Sequence, residues 1–144
     1  ATSNILEIAK GPYDQCLKDF QIDESFLGPL KHAKFERQFD LVFTSGVLIH
    51  INPDDLLESM SRMFELSSRY ILMGEYFNRT PIMIEYQGEQ NKLFKRDFAG
   101  EFLKKFSDTI LIDYGFSYRN DPAFPQDDIT WFLIKKINNE YKLL

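Results

Sequence analysis

Short apolar runs alternate with amphipathic stretches along most of the chain. Residues 4–8 (NILEI) form a compact apolar run suited to a buried strand. Over residues 12–20, Tyr13, Cys16, Leu17 and Phe20 fall near helical spacing. Gly28-Pro29 marks a turn, and a charged stretch follows over 31–38. Residues 39–44 (FDLVFT) are β-branched and aromatic without alternation, the pattern of a parallel strand covered on both faces. Asn52 then reads as a helix N-cap, Pro53 as the first helical residue, and Asp54 and Asp55 as first-turn acids. Leu56, Leu57, Met60, Met63 and Phe64 complete one apolar stripe, so 53–66 is expected to be an amphipathic helix. Residues 69–76 (RYILMGEY) read as the next buried strand, and 77–94, with Pro81 and Gly88, as an irregular segment. A second helix is expected at 96–106, with Phe98, Phe102, Leu103 and Phe106 on one face. Strands at 109–118 and 129–136 (ITWFLIKK) flank a loop holding Pro122 and Pro125.

This order implies an α/β layered fold, a single domain over 1–144. Strands separated by helices should be parallel, whereas the last two are joined by a loop too short for a parallel crossover and should pair antiparallel.

Composition narrows the function classes. With 44% apolar residues, 14 Phe and 7 Tyr, the chain can bury a core and is not intrinsically disordered. Seventeen basic against 22 acidic residues give a net charge of −5, which disfavours nucleic acid or an anionic membrane as partner. The lone Cys16 excludes an internal disulfide and fits a reducing, cytoplasmic setting, and two histidines leave little for a metal site.

The stretches FDLVFTSGVLIHINPDDL and RYILMGEY, with the closing hairpin 110–136, resemble strands four to seven of a class I S-adenosylmethionine-dependent methyltransferase. GVLIHINPDDL, KLFKRDFAGEFL and DYGF…DPAFPQDDITWFLIKK are similar to the small methyltransferases associated with pseudaminic-acid biosynthesis. The resemblance implies a Rossmann-like sheet, mostly parallel with an antiparallel C-terminal strand and flanked by helices. It also implies S-adenosylmethionine as cofactor. The N-terminal part departs from the family: residues 4–8 look like strand one, but Ala9-Lys10-Gly11-Pro12 follows where a Gly-rich loop is expected. Either that loop is absent and the protein is a degenerate methyltransferase, or a segment is missing after Ile8.

Candidate site residues follow the strands, because such sheets bind ligands past their carboxyl ends. The resemblance implies that Glu7 fixes the cofactor's amino group, the alternative being an exposed strand-end carboxylate, and that Ser25 and Phe26 meet its adenine, the alternative being an ordinary turn with a core Phe. Thr44, Ser45 and Gly46 are small enough to let backbone approach a ligand closely. His50 stands in an apolar stretch; it would orient or deprotonate an acceptor hydroxyl, or simply satisfy backbone carbonyls in a packed loop. Glu75 and Tyr76 should face the acceptor. Arg79, Tyr86, Lys92, Lys95, Arg96 and Arg119 would suit an anionic sugar, or form a solvated loop with ordinary charges. Trp131 reads as core, and Asp127-Asp128 as a charged turn rather than a metal site. The expected function is methyl transfer to a small molecule, a sugar or nonulosonate-pathway acceptor. The alternative is a catalytically inactive methyltransferase-like binding protein. A nicotinamide enzyme fits poorly without a GxGxxG motif.

Overall fold

The computed structural model describes Glu24 and residues 26–137 apart from Gln87 and Gly88, with only the backbone of Tyr86 and residues 89–91. The strand expected at 4–8 and the helix expected at 12–20 lie outside the described residues. Strand β1 (Phe39–Ser45) leads through a 3-10 turn, Leu48–His50, into helix α1 (Pro53–Leu66). The helix starts where the sequence places it: Asn52 Oδ1 accepts from the Asp54 N–H at 3.0 Å, and Pro53 has no N–H to leave unsatisfied. Strand β2 (Ser67–Glu75) follows α1 without a loop. Lys136 Nζ closes that junction by donating to the Phe64 carbonyl at 2.8 Å and the Ser67 carbonyl at 2.7 Å, a cation at a helix C-terminus.

Residues 77–94, expected to be irregular, contain a hairpin instead: β3 (Ile82–Tyr86) pairs antiparallel with β4 (Glu89–Lys95). Helix α2 (Phe98–Lys105) begins at Asp97, whose Oδ1 accepts from the Gly100 N–H at 2.9 Å. Strands β5 (Thr109–Ser117) and β6 (Ile129–Lys136) complete the main sheet.

That sheet has the order β1-β2-β6-β5. β1 and β2 run parallel, with Ser45 opposite Gly74. β6 lies between β2 and β5 and is antiparallel to both, as the short loop between the last two strands requires. The side chains of Ile71, Met73 and Ile134 point to one face and join Leu56, Met60 and Met63 of α1 with Phe98, Ala99 and Phe102 of α2 in one core. Phe64 stacks on Phe106 at 4.5 Å beside it. Both helices therefore cover the same face. Alternation sends Leu41 and Phe43 to the other face, where they are 44% and 66% exposed among the described residues. The expectation that β1 is covered on both faces holds, within the described residues, for one face only. No helix among the described residues is long and apolar enough to cross a membrane.

Candidate functional site

Parallel pairing of β1 and β2 brings the residues just after both strands to one edge of the sheet. Thr44, Ser45, Gly46, His50, Glu75 and Tyr76 are thereby gathered from two distant stretches of sequence. The chain leaves β1 sharply because Gly46 adopts φ +62°, the left-handed region that a side chain disfavours. Among the described residues nothing lies within 4 Å of a Cβ built at Gly46, so the glycine answers to backbone conformation rather than to crowding. The Gly46 N–H donates to the Gly74 carbonyl at 2.8 Å. Beyond it, Leu48 and Ile49 sink into the core at 0% and 3% exposure, while His50 stays exposed. The His50 N–H closes the 3-10 turn on the Val47 carbonyl at 3.1 Å.

Glu75 ends β2 on the helix-covered face and is only 4% exposed. Its two carboxylate oxygens accept from the backbone N–H of Val47 at 3.2 Å and of Ile49 at 3.4 Å. Burial holds its pKa above the ordinary glutamate value of 4.5, against the opposing pull of the Thr44 hydroxyl and of the backbone N–H groups of residues 47–49. The buried Thr44 hydroxyl lies close enough to the Glu75 carboxylate to favour its charged form. Glu75, expected to face an acceptor, binds the loop that carries His50 through these two bonds. Sequence alone gave no sign of this, since the contact joins strand end to loop only after β1 and β2 have paired.

The segment after β2 runs along the start of α2, where the Asn78 N–H meets the Arg96 carbonyl at 3.5 Å. Tyr76 is half-buried; its hydroxyl donates to Asp127, and Lys95 Nζ lies 5.3 Å from its ring centroid. Arg96 donates through Nε and Nη2 to Glu101 Oε1, at 2.9 and 2.7 Å, so its charge is matched within the chain. Arg79 is exposed, and Arg119 Nε approaches Asp128 at 3.6 Å. A shallow cavity of about 210 Å³ lies between the start of α1 and the hairpin, lined by Pro53, Ile82, Met83, Phe94 and Lys95 among others. Leu93 of the hairpin is buried in the same core as Leu48 and Ile49. Phe26 packs its ring against Gly28, while Glu7 and Ser25 lie outside the described residues. The side chain of Tyr86 is likewise outside them. Trp131, read as core, covers Gly115 on the sheet face opposite the helices.

No protein-family model matches the chain, and no curated protein is significantly similar to it. Solved structures do share its fold. A Burkholderia thailandensis 1,6-didemethyltoxoflavin-N1-methyltransferase with bound 1,6-didemethyltoxoflavin and S-adenosylhomocysteine superposes with a TM-score of 0.67 at 14% identity, over 89% of this chain and 57% of its own. An S-adenosylmethionine-dependent methyltransferase from Clostridium acetobutylicum gives 0.57 at 9% identity, over 87% and 70%. The magnesium protoporphyrin IX methyltransferase of Synechocystis with bound S-adenosylmethionine gives 0.54 at 14%, over 88% and 53%. The chain thus spans little more than half the length of the first and third. Its parallel strands with one antiparallel strand inserted near the end are the fold of S-adenosylmethionine-dependent methyltransferases.

Proposed function

We propose that this chain forms part of an S-adenosylmethionine-dependent methyltransferase acting on a small-molecule acceptor, and that the acceptor is a sugar of the nonulosonate type. The observation that carries the reading is the shared fold, in which β6 lies antiparallel between β2 and β5, together with neighbours that hold S-adenosylmethionine or S-adenosylhomocysteine. What supports such a cofactor at this edge is Gly46, where a Cβ would meet nothing within 4 Å among the described residues. Thr44, Ser45 and Gly46 would hold the cofactor there, with Phe26 and, outside the described residues, Glu7 and Ser25. When bound, the cofactor supplies a methyl group on a sulfonium, already activated for displacement.

The chain's own task is then to hold an acceptor atom in line and to receive its proton. In this reading His50, exposed on the loop after β1, would take a proton from an acceptor hydroxyl. Tyr76, Glu75, Arg79 and Arg96 stand around the end of β2 and the start of α2. Of these, Arg79 is the exposed cation for an acceptor carboxylate, while Arg96 reaches one only by leaving Glu101.

Ala9-Lys10-Gly11-Pro12, with its single glycine where a Gly-rich loop is expected, favours a second reading: a methyltransferase-like protein that binds a metabolite without transferring a methyl group. Titration calorimetry with S-adenosylhomocysteine, followed by an assay with methyl-labelled donor and nonulosonate sugars, separates the two. Binding with labelled product supports transfer; binding without product supports the inactive protein; no binding removes both.

A further inference from the structure

We propose that Glu75 is a positioning residue that clamps the Val47–Ile49 backbone and thereby fixes where His50 stands at the sheet edge. The loop turns away from β1 at Gly46, closes a 3-10 turn through His50 N–H to the Val47 carbonyl and Ile51 N–H to the Leu48 carbonyl, and enters α1 at Asn52. Two of its N–H groups point inward to one carboxylate, those of Val47 and Ile49. A carboxylate suits this task because it offers two acceptors and no donor. Glutamine would present an NH2 group to one of two N–H donors, so one bond must be lost. The clamp also explains why a carboxylate is kept in so buried a place. Removing its partners would leave a buried charge, and removing the carboxylate would leave the buried Ile49 donor and the part-buried Val47 donor unsatisfied. Leu48, between the two clamped residues, and Ile49 anchor the loop from below at 0% and 3% exposure. His50 is the next residue, and its own N–H is bonded to the Val47 carbonyl, so displacement of Val47 is passed directly to it. The clamp deepens the methyl-transfer reading, on which the role of His50 rests. The clamp itself is a property of the fold and is tested separately.

The test uses amide hydrogen exchange on the full chain, wild type against Glu75→Gln, together with transfer kinetics and S-adenosylhomocysteine affinity. The Val47 and Ile49 amides should exchange about tenfold faster in the variant. The turnover number should fall by up to about 10²-fold, as a misplaced catalytic group does, while cofactor affinity stays near wild type. Unchanged exchange at both amides overturns the clamp. Faster exchange with a full turnover number overturns the link to His50. If the wild type neither binds cofactor nor transfers methyl groups, the functional reading fails, and the exchange data still decide the clamp. If Glu75→Gln does not fold, the wild-type protein decides it: the Val47 and Ile49 amide resonances should move together as one carboxylate titrates. Independent behaviour of the two amides contradicts a shared acceptor.

Discussion

The backbone N–H of Gly46 donates to the carbonyl of Gly74 at 2.8 Å, joining the loop after β1 to the last turn-free residues of β2. That bond ends the parallel ladder at the Ser45–Gly74 pair, and the chain then leaves β1 with Gly46 at φ +62°, which an L-residue adopts at a cost of roughly 1–2 kcal/mol. Gly46→Ala should therefore lower unfolding free energy by about that amount in a urea titration. The cost comes from the backbone, since an added Cβ meets nothing within 4 Å among the described residues. A change of several kcal/mol would mean that the site is more crowded than described.

Glu75 sets a pH dependence with a definite sign. Burial raises its folded pKa above 4.5, so folding favours its protonated form. The stabilisation is complete below the unfolded value and is lost as pH rises through the folded one. Thermal melts of wild type and Glu75→Gln across this range should show the wild type losing stability relative to the variant as pH increases. Parallel curves would show that the carboxyl is not desolvated.

On the sheet face away from the helices, Trp131 lies over Gly115, and a Cβ there would come within 2.5 Å of the indole Cζ2. Rigid ring atoms cannot give way cheaply, so Gly115→Ala should cost about 1–3 kcal/mol. Because Trp131 is the sole tryptophan, the displaced ring reports itself: intrinsic fluorescence should change in the folded variant. An unchanged spectrum and stability would contradict this packing.

Much of this arrangement is legible in the residues themselves. Asn52-Pro53 with Asp54 and Asp55 fixes the start of α1, because capping chemistry is local. The apolar run 129–136 gives β6 to the residue, and the helix-free loop before it gives its antiparallel direction. The β3–β4 hairpin is not legible. Pro81 and the polar residues 89–92 read as loop, and Ile82, Met83 and Ile84 form an unalternating run whose exposure, 39–58%, no periodicity foretells. The candidate site was legible as a set of strand ends, not as contacts. Thr44 and Glu75 are brought near one another by pairing of β1 with β2, and Arg96 finds Glu101 within its own helix start.

His50→Ala separates a chemical role from a packing role. If His50 accepts the acceptor's proton, the transfer rate should fall ~10²–10⁴-fold with little change in cofactor affinity. A full rate in the variant would leave His50 as an ordinary loop residue.

The central claim is that the carboxyl edge of β1 holds S-adenosylmethionine, and titration of ¹⁵N-labelled protein with S-adenosylhomocysteine tests it most directly. A cofactor held there produces saturable amide shifts centred on Thr44, Ser45 and Gly46. No shifts at saturating ligand, or shifts confined to the opposite end of the strands near Phe39 and Ser67, would contradict it.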